Sequence, residues 1–250
     1  MLIAAARSDV GCVRSQNEDN FALLPDSGLW VVADGMGGHA AGDVASGLIV
    51  EELASLGIAV SAADQRARFL ERLDRANQRI LAYAAANGLT TVGATVVALM
   101  VHEAELSCAW AGDSRAYLLR DGVLTPLTRD HSEIGALLDE GALTADEARQ
   151  SPRRHVITRA IGIAADMAPE MVTGVIRPGD RLLLCSDGLT EHLNDEELTA
   201  ALTLPVPPDA AVEELIALTL GRGARDNVTA VVIDCVAAPD ALHDADAGPA

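Results

Sequence analysis

The sequence predicts an α+β fold with a sheet-on-sheet core and helices outside it. Three observations point there. Short, β-rich apolar runs outnumber the long helical segments. These runs come in clusters along the chain. The chain is also 50% hydrophobic but only 2% aromatic, so its 250 residues must build their core mainly from Ala, Val, Leu and Ile. A chain of that length can bury a sizeable core.

Leu29-Trp-Val-Val-Ala33 is a continuous apolar run, expected as a buried strand ending at Asp34. Asp43 to Leu56 follows with helical spacing, since Val44, Leu48, Ile49 and Leu53 recur at three and four residues. A longer helix fits Asp64 to Ala86, with Leu70, Leu73, Ile80, Leu81 and Ala84 on one stripe and arginines on the other. Asn87-Gly88 breaks it. Ala94 to Val101 and Leu106 to Ala111 are β-rich, and Tyr117 to Leu124 reads as a hairpin turning at Asp121-Gly122. Asp130 to Gly162 is more polar and partly helical, containing Leu143 to Ala148, and is read as a surface excursion. Strands return at Ala168 to Ile176 and Arg181 to Cys185 across the turn Pro178-Gly179-Asp180. Asp195 to Leu202 and Ala210 to Leu220 read as helices, and Val228 to Val236 as a last strand. Ala237 to Ala250 is expected to be a disordered acidic tail.

Charge narrows the chemistry. There are 18 basic residues against 37 acidic ones, a net charge of −19, and every basic residue is arginine. Without lysine there is no Schiff base, no PLP anchor and no phosphate-loop or kinase lysine. Strong negative charge argues against non-specific binding to nucleic acid or to an anionic membrane. The N-terminus lacks signal-peptide anatomy, and no apolar run approaches the ~20 residues that span a bilayer. Cys12, Cys108, Cys185 and Cys235 are scattered in apolar contexts without C-x-x-C spacing, as expected of buried free thiols in a reducing compartment. The expected location is cytoplasmic.

Three strand-like runs end in an aspartate beside a glycine: Val31-Val-Ala-Asp34-Gly35, Ala109-Trp-Ala-Gly112-Asp113 and Leu183-Leu-Cys-Ser-Asp187-Gly188. Asp226 opens the strand that begins at Asn227, and Glu18 and Asp19 precede Phe21-Ala-Leu-Leu24. One Asp-Gly alone is ordinary turn chemistry, as Asp121-Gly122 illustrates. Aspartates at several buried strand ends are another matter, because each charge must be paired. If those ends converge on one sheet edge, cations must sit between them. An all-oxygen ligand set favours Mg²⁺ or Mn²⁺ over zinc.

The motifs form a recognisable ordered set: Gly11-Cys-Val-Arg14-Ser-Gln-Asn17-Glu18-Asp19, Val32-Ala-Asp34-Gly35-Met36-Gly37-Gly38-His39, Gly93-Ala-Thr95, Ala111-Gly112-Asp113-Ser114-Arg115, Cys185-Ser-Asp187-Gly188-Leu189 and Arg225-Asp226-Asn227-Val-Thr229. From about Val10 to Val236 the chain resembles the bacterial branch of the PPM/PP2C family of metal-dependent serine/threonine protein phosphatases. The resemblance implies a four-layer α-β-β-α sandwich of two mainly antiparallel sheets flanked by helices. It implies a two-ion Mg²⁺ or Mn²⁺ centre at one end, with a third ion beside it. Carried over residue by residue, Asp34 bridges the two core ions, Gly35 offers its backbone carbonyl, and Asp187 and Asp226 complete the first ion's shell. Glu18 and Asp19 hold metal-bound waters, Asp113 joins Asp187 at the third ion, and Arg14 binds the substrate phosphate. The implied reaction is in-line attack of a metal-bridging water on phosphoserine or phosphothreonine in proteins, with no phosphoenzyme.

Residues 1–236 are then a phosphatase domain with a flap at about 130–162, expected to act as a monomer on phosphorylated proteins and to oppose a Ser/Thr kinase. Many eukaryotic members carry a histidine directly after the Asp-Gly pair as general acid. Met36 stands there, and His39 is the candidate substitute. Three alternatives stand beside this reading. Cysteine phosphatase chemistry needs five residues between Cys and Arg, whereas six lie between Cys108 and Arg115. A catalytically dead phosphoprotein-binding module would not need the full set of aspartates. A small-molecule phosphohydrolase would share the motifs. The arginines at 66, 68, 72, 75 and 79 read as a solvated helix face with i,i+4 pairs, and His155 in the flap as a surface-loop residue.

Overall fold

Side-chain alternation along the strands decides which layer each residue joins. In a computed structural model that describes residues 1–37, 41–139, 141–144, 147, 151 and 156–237, eleven strands form two antiparallel sheets. One runs β1 (Leu2–Asp9), β11 (Val228–Cys235), β10 (Arg181–Cys185), β7 (Arg115–Arg120) and β8 (Val123–Pro126). The other runs β2 (Asp19–Leu24), β3 (Leu29–Gly37), β5 (Val96–His102), β6 (Glu105–Ala111) and β9 (Glu170–Val175), with β4 (Val92–Ala94) paired to β3. The helices are α1 (Ala41–Ala54), α2 (Ala62–Asn87), α3 (Glu133–Asp139), α4 (Asp187–Thr190), α5 (Asp195–Thr203) and α6 (Pro208–Gly221).

Three apolar clusters show the four layers. Leu29, Val31 and Ala33 of β3 pack outward on Ile49 and Leu53 of α1 and on Phe69, Leu73 and Ile80 of α2. Their alternates Trp30 and Val32 face inward against Leu182 and Leu184 of β10 and Val231 and Ile233 of β11. The opposite faces of β10 and β11, at Leu183, Cys185, Ala230 and Val232, pack on Leu198 of α5 and Leu215 of α6. The helix-sheet-sheet-helix sandwich is therefore as expected.

The long helix carries the start and stop signals its sequence shows. Ser61 accepts a hydrogen bond from the Asp64 N–H at 3.1 Å, and Gly88 ends the helix in the left-handed region at φ +64°. Its arginines are paired as a solvated face: Arg68 with Asp64, Arg75 with Glu71, and Arg79 with Glu51 and Glu52. Leu73 and Ile80 are buried as expected, but at the N-terminal end of the stripe the inward position is Phe69 and not Leu70. Phe69 is buried, while Leu70 is 43% exposed. The bulkier ring takes the inward position.

Other differences have equally local causes. β3 runs past Asp34 to Gly37, because β4 pairs with its far end at Gly35, Met36 and Gly37. Thr95 divides the expected strand 94–101 into β4 and β5. β1 and β2 were not expected as strands. The surface excursion from Asp130 is anchored in the core at its far end, where Ile161 is fully buried and pairs with Ala94. Half of the helical piece expected at 143–148, residues 145, 146 and 148, lies outside the described residues, as do His39, His155 and the tail beyond Ala237. Cys108, Cys185 and Cys235 are buried free thiols, but Cys12 is exposed. Among the described residues no helix is long and apolar enough to cross a membrane.

Candidate metal centre

Register brings the acidic strand ends to one edge of the sandwich. In one sheet Asp19 on β2 lies directly opposite Asp34 on β3. In the other, Cys185 at the end of β10 pairs with Ala230 of β11 and with Arg115 of β7. That places Asp187, Asp226 and Asp113 just beyond the same edge. Asp34 feels the charges of Asp19, Asp187, Asp113 and Asp226. Arg14 feels Asp226, Glu18 and Asp34. The structure thus brings together Arg14, Glu18, Asp19, Asp34, Asp113, Asp187 and Asp226. Gly35 follows Asp34 in β3, and its N–H donates to the Glu18 carbonyl at 3.1 Å. A side chain at Gly35 is excluded, since its Cβ would lie 2.1 Å from the Gly42 carbonyl oxygen.

Each acid has a distinct set of supports. Asp19 is 5% exposed, and its Oδ2 accepts from Ser186 Oγ at 2.8 Å and Thr229 Oγ1 at 2.6 Å. Its Oδ1 is buried without a partner. Asp226 Oδ2 accepts from Arg14 at 2.7 Å, and its Oδ1 accepts from the Asn227 N–H at 2.9 Å. Glu18 is held by the Gly42 N–H at 3.2 Å, while its backbone N–H donates to Asn227 Oδ1 at 2.8 Å. Asn227 also donates to Val10 O and Gln16 O, at 3.0 and 2.9 Å, and so ties the Arg14 loop to β11. The Asp34 backbone exchanges bonds with Thr95, whose hydroxyl lies 2.7 Å from Ser114 Oγ. Asp113 is 6% exposed, and its Oδ1 also lacks a partner.

The electrostatics are those of crowded, desolvated carboxylates. Burial pushes Asp19 up to about 7, despite the hydroxyls that favour its charged form. Burial and then Asp187 push Asp113 up to about 8. Asp34 is held well above the ordinary carboxylate range by burial and by its four acidic neighbours, and Glu18 is raised mainly by burial. Among the described residues no three Asp, Glu, His or Cys side chains stand as a ready-made metal-holding group. The fit to a cation rests instead on the donors: two buried carboxylate oxygens without a partner, in a set of hard oxygen ligands whose charges oppose one another. A divalent oxygen-seeking ion satisfies both conditions.

Ser186, Thr229, Asn227 and Thr95 were not assigned roles from the sequence. Thr95, Ser186, Asn227 and Thr229 lie inside the quoted motifs, so the signal was present in their proximity to the aspartates. Met36 follows Gly35 in β3 and offers no proton.

A family model described as protein phosphatase 2C matches residues 13–218. The chain is 41% identical over 233 residues to the serine/threonine protein phosphatase PstP of Mycobacterium tuberculosis, covering 93% of this chain and 45% of that protein. It therefore spans about half of that relative's length. It is 33% identical over 239 residues to the serine/threonine phosphatase stp of Listeria monocytogenes, covering 92% of this chain and 95% of the other. The crystal structure of the PstP catalytic domain with two manganese ions superposes with a TM-score of 0.87 at 40% identity, covering 94% of this chain and 99% of that one.

Proposed function

The chain belongs to the protein phosphatase 2C family, and from that premise we propose that it is a metal-dependent serine/threonine protein phosphatase using Mg²⁺ or Mn²⁺. The observation that carries the reading is the pair of buried, partnerless oxygens, Asp19 Oδ1 and Asp113 Oδ1, set around Asp34. The manganese-bound relative supports the choice of ions. Asp34, the Gly35 carbonyl, Asp187 and Asp226 would hold the two core ions, with Asp19 and Glu18 reaching them through water. Asp113 and Asp187 would hold a third.

When bound, such ions supply Lewis acidity to the phosphoryl oxygens and acidify water. The chain's own residues set the rest. Ser186 and Thr229 occupy one oxygen of Asp19 and so aim the other into the site. Arg14, half exposed and paired with Asp226, presents a planar fork suited to phosphate oxygens. The hydroxyls nearest the acids, Ser186 Oγ and Thr229 Oγ1, are both engaged in holding Asp19 Oδ2. Burial pushes the thiols of Cys108 and Cys185 up to about 12, which removes the thiolate that cysteine phosphatase chemistry requires. Phosphoryl transfer therefore goes directly to water. Residues 1–236 form the phosphatase domain and the segment at about 130–162 its flap. The protein works as a monomer in the cytoplasm, where thiols such as Cys108 and Cys185 stay reduced, on phosphoproteins made by a Ser/Thr kinase. His39 remains the candidate acid for the leaving alcohol.

The test is Mn²⁺-dependent hydrolysis of a phosphothreonine peptide and of small phosphoesters. Release of phosphate from the peptide, lost with chelator and in Asp187→Asn, is expected. Activity confined to small esters would replace the protein substrate with a metabolite, and no metal-dependent activity at all would overturn the enzyme reading.

Thr229→Val is expected to keep the packing of β11 but remove one donor from Asp19 Oδ2. Mn²⁺ affinity should fall about tenfold by calorimetry, and Thr229→Ser should restore it.

A further inference from the structure

One histidine outside the proposed metal set joins three separate segments. His131 is 9% exposed and stands at the beginning of the 130–162 segment. Its ring stacks on Trp110, with centroids 5.8 Å apart and planes at 17°. Its backbone N–H donates to the Gly112 carbonyl at 2.9 Å, and the Gly112 N–H donates back to its Nδ1 at 3.2 Å. Gly112 immediately precedes Asp113. On the other side, the His131 carbonyl accepts from the Thr158 N–H at 2.7 Å, and the adjacent Ser132 bridges to Ile157.

Neighbouring bonds reinforce the same zipper. Trp110 Nε1 donates to the Arg129 carbonyl at 2.8 Å, and Arg115 grips Asp130 with two bonds of 2.7 Å. Because Nδ1 accepts from Gly112, the ring proton sits on Nε2. Nε2 lies 3.2 Å from Glu170 of β9, which also pairs with Arg159 at 3.0 Å. A histidine kept only for packing would need the Trp110 stack and nothing more. Here the ring nitrogen also satisfies a buried backbone donor one residue from Asp113, and the main chain of the same residue ties down the returning end of the flap.

We infer that His131 is a positioning residue that couples both roots of the flap to the loop carrying Asp113. This rests on the proposed role of Asp113 in holding a metal ion. Order at the two roots of the segment and metal seated at Asp113 then stabilise each other through a chain of three hydrogen bonds centred on one residue.

Two variants test it. His131→Phe keeps the stack on Trp110 and leaves the Gly112 N–H without an acceptor. His131→Asn gives up the stack but offers Oδ1 in place of Nδ1. Amide exchange followed by mass spectrometry in metal-free protein is expected to quicken in His131→Phe at residues 110–115, 128–134 and 156–161 together, and not in β10 or β11. The weakest step of a Mn²⁺ titration should weaken about tenfold, as for other residues that orient a ligand. His131→Asn should restore both. Exchange that stays unchanged at 156–161, that quickens uniformly across the chain, or that quickens equally in both variants would overturn the coupling. The exchange arm needs no turnover, so it decides the coupling even if the chain hydrolyses no phosphoester.

Discussion

Asp34→Asn is expected to lower kcat/KM on a phosphothreonine peptide by about a thousandfold while raising the Tm of the metal-free protein. Both effects have one cause. Asp34 is the acid on which four others press, and burial adds to the cost of its charge. Without cations that charge is unfavourable, so an isosteric amide relieves repulsion and the apo fold gains stability. With cations the same charge is what neutralises them and fixes their place. Losing it forfeits transition-state stabilisation of about 4 kcal/mol, roughly a factor of a thousand. The opposite signs make the result diagnostic. A variant that merely misfolds would lose activity and Tm together, and a drop in metal-free Tm would show that Asp34 is not crowded by like charge. Steady-state kinetics at saturating Mn²⁺ and calorimetric melting in chelator read the two arms.

The aspartates at the strand ends were legible because each apolar run stops abruptly at a charge. β3 is fully buried from Leu29 to Ala33 and meets Asp34 at once. β10 is fully buried from Arg181 to Cys185 and is followed within two residues by Asp187. Strands without that contrast carry no such mark. β1 is an edge strand in which none of the eight residues is fully buried, and β2 is buried only at Asp19 and Ala22. Neither shows clean alternation, and both depend on a neighbour to become strands. In the long helix only Leu70 is misplaced, with Phe69 buried in its stead, because periodicity counts apolar positions without weighing their bulk. Hydrogen-bond positioners were the hardest part. Thr229 and Ser186 meet only in space, 43 residues apart in sequence and joined by the Thr229 N–H donating to Ser186 Oγ at 3.0 Å. A hydroxyl has no periodic signature. His131 has no such signature either, since its partners Gly112 and Thr158 come from distant segments.

The apo protein is expected to melt at lower temperature as pH rises from about 5 to about 8, and Mn²⁺ is expected to abolish that trend. Asp19 at about 7, Asp113 at about 8, and Asp34 and Glu18 all hold their protons more tightly when folded than when unfolded. A group raised in this way contributes stability that is fully present below its unfolded pKa, about 4 for a carboxylate. That contribution is lost as pH rises through the folded value. Groups of the other sign act elsewhere. Glu197, pushed down to about 2 by Arg222, and Asp180, lowered on balance by Arg120 against the cost of burial, add stability that disappears only in acid below about pH 4. His131, held below the ordinary imidazole range mainly by burial, opposes the trend. One imidazole is outweighed by four carboxyls, two of them raised to about 7 and about 8. For a chain of this size each lost kcal/mol lowers Tm by about 2–4 °C, so the fall should amount to several degrees. Protons and cation compete for the same oxygens, and the Tm gained from Mn²⁺ must therefore grow over the same pH range. Asp113→Asn should flatten the apo slope in part. A metal-free Tm that climbs from pH 5 to 8 would mean the acids at this edge are not desolvated as their burial requires.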